Sequence, residues 1–364
     1  MSASTLRNCL NFSPVLLFLL LFQSGSAQKI NRNAKEFGTD RHSGLDALVQ
    51  SKIKELGEEV AVLVWTDTLV YKRETGTMNA RTPAPIAVAS QWLTAALVMS
   101  FVDEGKLDLD DKVSQYIPSF ARYGKNYVTL RTCLTHMNGI QSSSASLAKA
   151  LERKKYASLE EEVDAYAARE IQTNPGTEFR YNNMGPAIAA RVLEIVSKKK
   201  FDMLIQQRLF RPVGMRQTTF STTDGSGPNP SGGARTTGDD FIRFMAMLLN
   251  EGMANGKQVL SPEAVRELRK LQIPAEKIRY APKAAEGYTY ALGAWVEDSD
   301  PTGYARTLSA PGLYGAWPVI DFCKGYVLLV LPKELQGEQK RELYLQLKAA
   351  ADEEVKSPKA GGCK

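Results

Sequence analysis

The chain has 364 residues, 43% of them apolar, and can therefore bury the core of one large domain or of two smaller ones. Its formal net charge is +6, and no dense run of Lys and Arg is interleaved with aromatic residues, so we expect no nucleic-acid partner. The only histidines, His42 and His136, are too few for a multi-histidine metal centre, and we expect neither a metal nor another cofactor.

The N-terminus has the pattern of a secretory signal peptide. Arg7 is the only charged residue before Lys29, and Val15–Phe22 is an apolar stretch too short to span a bilayer comfortably. Gly25-Ser26-Ala27 is typical of a cleavage site, so residues 1–27 would be removed and the mature protein would be secreted or periplasmic. An uncleaved anchor is the alternative. No second long apolar segment follows, and we expect no stable membrane span after cleavage.

The cysteines do not form a recognisable framework. Once Cys9 is removed with the signal peptide, Cys133, Cys323 and Cys363 remain, an odd number with no metal-binding spacing. Cys133 and Cys323 lie in apolar contexts and are expected to be buried and inert. The sequence leaves a disulfide bond between Cys133 and Cys323 in an oxidising compartment as an alternative.

The first predicted elements are a helix and a hairpin. Residues 28–44 are polar and are expected to be loose. Apolar periodicity predicts a helix over 45–56, and the β-rich runs Val60–Trp65 and Leu69–Lys72 predict two strands joined by a tight turn. The middle of the chain is mainly helical in pattern. Its predicted helices are 90–104, 158–171, 183–198, 201–209, 239–249 and one that starts at Ser261.

Strand patterns return in the last third of the chain. The candidate strands are 288–296, 307–310, 316–321 and 326–331. A helix over 333–355 is predicted to close the fold, and the polar tail 356–364 is expected to be disordered.

This order of elements predicts one α/β (α+β) domain over 45–355. Strands at both ends of the chain predict an antiparallel sheet made from about 45–80 and 285–355, flanked by helices. The mainly helical region, about 81–284, would be inserted between the two parts of the sheet.

Several segments resemble the serine β-lactamases and penicillin-binding D-Ala-D-Ala peptidases, in particular the class C type. Their order and spacing run through the chain from about residue 45 to 335. The matching segments are 101–111, 134–139, 175–183, 210–215, 232–240 and 260–262. The resemblance implies the β-lactamase/transpeptidase-like fold and a relationship to serine hydrolases.

The catalytic pair of that family is replaced in this sequence. The family uses Ser-x-x-Lys at the start of a helix, where positions i and i+3 share one face and the lysine activates the serine. Aligned through Trp92-Leu93-Thr94-Ala95, the serine position is Val88 and the lysine position is Gln91. Val88 has no nucleophilic atom, and Gln91 has no ionisable group.

A further family motif is also altered, while one is kept. Ala310 stands where the family has the histidine of His-x-Gly, although Gly312 remains. Tyr181 and Asn183 match the Tyr-x-Asn motif. The resemblance therefore implies that no catalytic set is intact. It leaves Tyr181, Asn183, Gly312 and Gln91 as candidate ligand-binding residues.

Two residues could replace the missing groups. Ser90 lies two positions after the serine position, on another face of the helix, and lacks a lysine three residues later, so a structural role is favoured. His136 could belong to a Ser-His-Asp arrangement, but its position near a predicted helix end favours a structural role.

Three functions remain compatible with these residues. The leading hypothesis is a secreted, catalytically inactive homologue that binds a peptide, a cell-wall fragment, a small acyl ligand or a protein partner. The alternative is an active esterase, peptidase or β-lactamase-like enzyme that uses non-standard residues. A third hypothesis is a structural or interaction protein whose cleft is filled by its own side chains. On balance the sequence argues against an enzyme.

Overall fold

The computed structural model describes residues 43–141, 155–312, 315–334, 336 and 340–355. The expected signal peptide (1–27), most of the expected loose segment (28–42) and the expected disordered tail (356–364) lie outside these residues. Within them, no helix is long and apolar enough to cross a bilayer.

The helices, in chain order, are α1 (Ser43–Ser51), α2 (Ile53–Leu56), α3 (Ser90–Val102), α4 (Pro118–Arg122), α5 (Leu130–Leu134), α6 (Leu159–Ala167), α7 (Met184–Ser197), α8 (Phe201–Ile205), α9 (Arg211–Val213), α10 (Gly238–Leu249), α11 (Pro262–Arg269) and α12 (Arg341–Glu354). The strands are β1 (Val60–Trp65), β2 (Leu69–Glu74), β3 (Ala84–Pro85), β4 (Phe179–Arg180), β5 (Arg235–Thr236), β6 (Met253–Ala254), β7 (Lys257–Gln258), β8 (Ile278–Tyr280), β9 (Thr289–Tyr290), β10 (Trp295–Ser299), β11 (Ala305–Ser309), β12 (Trp317–Asp321) and β13 (Tyr326–Pro332).

The main sheet joins the two ends of the chain. Its order is β2-β1-β13-β12-β11-β10-β9, and all neighbouring strands are antiparallel. The N-terminal strand β1 pairs with the C-terminal strand β13, with Val62 opposite Val330 and Val64 opposite Leu328. The predicted antiparallel sheet made from both chain ends, with a helical region inserted between them, is therefore the observed architecture.

Both faces of the central strands are buried. Because side chains alternate along a strand, Val60, Val62 and Val64 face α1 and α12, whereas Ala61 and Leu63 face the larger core shared with the helical region. β1 is continuously apolar because a strand that is covered on both sides has no face in contact with solvent, where polar residues would be favoured.

Helix α3 runs through the centre of the helical region. Every residue from Ser90 to Phe101 is buried, including the polar side chains of Ser90, Gln91 and Thr94. A helix that is enclosed on all sides shows no polar stripe. Polar residues in α3 therefore need partners inside the protein, which makes their contacts informative about the site.

Several predicted elements were wrong in their limits, and the helix predicted over 158–171 ends at Ala167. The helix predicted over 45–56 begins two residues earlier, within the segment expected to be loose, and breaks at Lys52. The strand predicted over 288–296 is two strands, because Gly293 forms a left-handed turn (φ 77°) whose backbone lies against Gln91 of α3. The last helix begins at Arg341, since the backbone of Lys333 still donates to Glu59 and extends the sheet pairing.

Candidate functional site

The start of α3 is fixed by a short strand pair. Strand β3 pairs with β5, and the N–H of Ile86 donates to the carbonyl of Ala234 at 3.1 Å. The Oγ of Ser90 accepts from the N–H of Ala234 at 3.0 Å. Ser90 is thus a structural hydroxyl that holds the two segments together. Its only described contact is this backbone bond, as the favoured interpretation of its position requires.

A strained turn comes immediately before the helix. Ala87 has φ 45°, a left-handed conformation that side chains other than glycine rarely adopt, and Val88 follows it in the same 3₁₀ turn. Gly312 lies against this turn, since a Cβ atom added there would be 3.1 Å from the carbonyl oxygen of Ile86. The structure therefore brings Val88 and Gly312 to the same place, and glycine permits the close approach.

Val88 points into an apolar cluster, which we call the aromatic cluster. Its members are Val88, Met137, Phe179, Tyr181, Ile273, Ala285, Tyr290 and Trp295. Val88 is 5% exposed, so its methyl groups occupy the position that the resemblance assigns to a serine hydroxyl and contact other side chains there.

Gln91 lies one turn further along α3 and binds His136. Its Oε1 is 3.0 Å from Nε2 of His136 and 3.4 Å from the hydroxyl of Tyr290. The N–H of Asn182 approaches Nδ1 of His136 at 3.4 Å, so Nδ1 acts as an acceptor and the proton is assigned to Nε2. His136 then donates to Oε1 of Gln91, which fixes the orientation of the amide. The amide nitrogen of Gln91, Nε2, has no hydrogen-bond partner among the described residues.

The groups around Gln91 are uncharged at neutral pH. Burial lowers the pKa of His136 from 6.5 to about 3, so the imidazole is neutral. Burial raises the pKa of Tyr181, and the nearby Gln91 amide and Trp295 indole only partly oppose this, so the phenol stays protonated. Burial likewise raises the pKa of Tyr290 well above its usual value. The cluster therefore contains no anionic base.

The rings of the aromatic cluster are in direct contact. The centroid of His136 is 4.5 Å from that of Tyr181 and 5.2 Å from that of Tyr290. Trp295 lies 5.3 Å from Tyr181 and 4.8 Å from Tyr290. Tyr181 is therefore enclosed by rings on several sides and is only 3% exposed.

The remaining candidate residues are more dispersed. Asn183 is the residue before α7, it is buried, and its backbone carbonyl accepts from the hydroxyl of Ser231. Ala310 follows β11, donates its N–H to Pro318 at 3.2 Å, and packs into the larger core rather than the aromatic cluster. Val88 and Tyr181 thus share the aromatic cluster, and Gln91 accepts a hydrogen bond from Tyr290 of that cluster. Gly312 lies beside the cluster, and Ala310 packs elsewhere.

Sequence motifs did not reveal most of the aromatic cluster. Tyr290 and Trp295 were part of a predicted strand, Phe179 lay in the matching segment 175–183 without an assigned role, and His136 was assigned a structural role near a helix end. The contact between Tyr290 and Gln91 joins residues 199 positions apart. The aromatic content of 288–296 was the one local signal available, and it is equally typical of a strand.

Val88 and Gln91 do not carry the groups of a Ser-x-x-Lys pair, and the amide of Gln91 can form hydrogen bonds. Nucleophilic catalysis needs an activated attacking atom and a group that takes its proton. Val88 supplies neither, and Gln91 can donate a hydrogen bond but cannot accept a proton at neutral pH. The N–H of Trp295 also lacks a partner among the described residues, so two buried donors lie near Tyr181.

The cysteines differ from one another. Cys133 is a free and fully buried thiol whose pKa burial raises, as expected. Cys323 lies half-buried in the turn between β12 and β13 and is disulfide-bonded, so it does not pair with Cys133 and is not an inert buried residue. Cys9 and Cys363 lie outside the described residues. No group of His, Cys, Asp and Glu side chains that could hold a metal occurs in the described ranges.

The comparisons with known proteins agree with the architecture. The Beta-lactamase family model matches residues 46–353. Protein Rv1367c of Mycobacterium tuberculosis is 26% identical over 306 residues, covering 68% of this chain and 76% of that protein. Penicillin-binding protein 4 of Amycolatopsis lactamdurans is 26% identical over 249 residues, covering 57% and 64%. The octameric penicillin-binding protein homologue from Pyrococcus abyssi has a similar fold (TM-score 0.69, 20% identity), covering 88% of this chain and 79% of that one.

Proposed function

The chain belongs to the Beta-lactamase family, and we propose that it is a secreted member that binds a ligand or a partner without hydrolysing it. The observation that supports this best is the replacement of the catalytic pair. Val88 has no nucleophilic atom and packs among apolar side chains, and Gln91 is a neutral amide hydrogen-bonded to His136. Peptides, cell-wall fragments and small acyl compounds are the proposed ligands, and a protein partner is the other possibility.

The surrounding contacts favour this proposal over an enzyme with non-standard residues. The Ser90 hydroxyl accepts from Ala234, and no basic side chain among the described residues hydrogen-bonds to it. Tyr181 is a protonated phenol whose pKa is raised by burial, so it is a poor base. His136 is held by Asn182 and Gln91, and no serine or cysteine among the described residues hydrogen-bonds to it.

Polar groups near Val88 remain available for binding. Gln91 and Trp295 each have a buried N–H without a described partner, close to the hydroxyl of Tyr181. Asn183 and Gly312 are the other proposed ligand contacts. A buried donor that lacks an acceptor is costly, so an acceptor atom supplied by a ligand would stabilise this region.

Secretion is part of the proposal. The pattern of residues 1–27 is that of a signal peptide. A disulfide bond at Cys323 supports this, because such bonds persist in oxidising compartments outside the cytosol.

Acylation is the direct test of the proposal. The mature chain is incubated with a fluorescent penicillin and, separately, with chromogenic esters. We expect no stoichiometric covalent labelling and no turnover above the uncatalysed rate, since no group attacks the acyl carbon. Stoichiometric labelling would contradict the proposal, and ester turnover that disappears in Tyr181→Phe would support the enzyme alternative.

Restoring the catalytic pair tests the assignment of the two positions. We expect the double variant Val88→Ser/Gln91→Lys to gain weak labelling by the same penicillin, because the two side chains share one face of the helix start. Val88→Ser alone is the matched control and should be labelled less, since its hydroxyl has no lysine beside it. If the double variant and the control behave alike, the residue at Ala310 or the shape of the cleft also prevents acylation.

A further inference from the structure

A groove lies on the surface of the helical region, formed by residues other than those of the aromatic cluster. It has a volume of about 540 Å³ and is bounded by α4 and the following turn, by α6 and by α7. Its polar and aromatic lining consists of Tyr116, Ser119, Arg122, Tyr123, Asp164 and Arg191, with Glu160 at the edge. Pockets of roughly 300–1,000 Å³ accommodate small organic ligands, so the groove is large enough for a disaccharide-sized molecule.

Tyr123 presents an exposed ring next to the ammonium group of Lys125. It is 48% exposed, one of few large apolar side chains on the described surface with such exposure. Lys125 is only 2% exposed, and its Nζ lies 3.5 Å from the Tyr123 carbonyl and 5.7 Å from the centre of its ring. Lys125 has no carboxylate partner among the described residues, although burying an ammonium group is costly. Its ammonium group instead contacts the Tyr123 backbone and lies over the Tyr123 ring.

The polar groups of the groove are partly pre-oriented and partly free. Ser119 donates to one carboxylate oxygen of Asp164 at 2.8 Å, and Arg191 pairs with Glu160 at 2.7 Å. Arg122 is exposed and makes no hydrogen bond or ion pair with the described residues. The groove therefore offers a free guanidinium beside carboxylate oxygens that still have lone pairs.

The charges of the groove are balanced. Arg122 and Arg191 contribute two positive charges, and Glu160 and Asp164 contribute two negative charges. A strongly anionic or cationic ligand would meet as much repulsion as attraction. An uncharged ligand with many hydroxyl groups would meet donors and acceptors together.

We propose that this groove binds an uncharged saccharide, with one sugar face stacked on Tyr123 and its hydroxyl groups bonded to Arg122 and Asp164. A sugar ring has an apolar C–H face and a rim of hydroxyl groups, which matches an exposed aromatic ring bordered by charged groups of both signs. This inference concerns residues outside the aromatic cluster and does not depend on the function proposed for Val88 and Gln91.

Saccharide binding is tested by calorimetry on the folded chain with cellotriose and chitotriose, two neutral trisaccharides that differ in their acetamido groups. Binding of either is expected. Tyr123→Ala should weaken it about tenfold, because the stacking surface is lost. Tyr123→Phe keeps the ring and should bind within about threefold of the unmodified protein. Tyr127→Ala is the matched control, since Tyr127 is 75% exposed on the same loop but does not line the groove.

Three results would overturn the inference. The first is that neither trisaccharide binds at millimolar concentration. The second is that Tyr127→Ala weakens binding as much as Tyr123→Ala does. The third is that Tyr123→Phe loses binding to the same extent as Tyr123→Ala. None of these results bears on penicillin labelling. A failure here is therefore distinguishable from a failure of the proposed non-hydrolytic function.

Discussion

Gln91 differs from the lysine it replaces in charge more than in size. An ammonium group at this position would face the Nε2–H of His136, which is a donor, so two donors would oppose each other. The amide instead presents its oxygen to His136 and Tyr290. With glutamine at this position, Gln91, His136 and Tyr290 form hydrogen bonds without any charged group. Uncharged groups of this kind fit a binding role better than proton transfer.

The titration of His136 gives a prediction for stability against pH. The pKa of His136 falls from 6.5 to about 3 on folding, so the unfolded chain binds this proton more readily. Stability from this group is complete above pH 6.5 and is lost as the pH falls from 6.5 towards 3. Between pH 7.5 and 5 we expect a loss of roughly 2 kcal/mol in the free energy of unfolding.

The measurement is urea unfolding of the wild type and of His136→Gln at both pH values. The variant has no imidazole at this position and should lose less stability over the same interval, whatever its stability at pH 7.5. An equal loss in the two proteins would contradict a neutral, buried His136.

The motif alignment found individual positions but not their neighbours. The fixed spacing of the family motifs is the basis on which Val88, Gln91 and Tyr181 were assigned to motif positions. Their contacts could not be assigned in this way, because His136 lies 45 positions from Gln91 and 154 positions from Tyr290. Contacts of this range depend on the tertiary packing of α3 against β9 and β10, which no local pattern encodes.

Among the elements, α12 is held to the sheet by both apolar and ionic contacts. Leu343 and Leu347 are buried, and Tyr344 stacks on Trp317 with ring centroids 4.7 Å apart. One turn later, Nζ of Lys348 lies 3.0 Å from the buried carboxylate of Asp321. The ammonium group of Lys348 therefore lies in the largely buried interface between α12 and the sheet.

We expect Lys348→Met to lower the free energy of unfolding by about 3 kcal/mol. Removing the ammonium leaves Asp321, whose side chain is 5% exposed, without this counter-ion. Lys324→Met is the matched control: Lys324 pairs with Asp352 at 3.0 Å but is 40% exposed, so its loss should cost about 1 kcal/mol or less. Equal effects on the urea midpoint would show that burial does not determine the strength of these pairs.

The sequence predicted the existence of most elements better than their ends. Helix α11 begins after Ser261 as its capping sequence indicates, since the Ser261 hydroxyl accepts from Ala264. The start of α12 was misplaced by eight residues, because nothing in the local sequence shows that β13 continues to Pro332 and that Lys333 still pairs with Glu59.

In the whole molecule, the sheet and the helical region share one core. Leu63 and Leu329 of the sheet belong to the same buried cluster as Leu193 and Phe241 of the helical region. We therefore propose that the described part of the chain unfolds as a single domain. The sequence could predict this from strands at both ends, although it could not predict which strands would pair.

We expect Leu63→Ala and Leu193→Ala each to lower the free energy of unfolding by about 2–5 kcal/mol, in one cooperative transition. Tryptophan fluorescence and far-ultraviolet circular dichroism should give the same midpoint for each variant. Leu345→Ala is the control, since Leu345 is 37% exposed and should change stability by about 1 kcal/mol or less. Separate transitions for the two regions would indicate two domains.

The pairing of β1 with β13 also sets an order in time. A ribosome makes Val60–Trp65 long before Tyr326–Pro332, so β1 can pair with β2 early but lacks its second neighbour, β13, until nearly the whole chain has been synthesised. Contacts between residues so distant in sequence form slowly. The β1–β13 pair of the sheet therefore forms only after almost the whole chain has been synthesised.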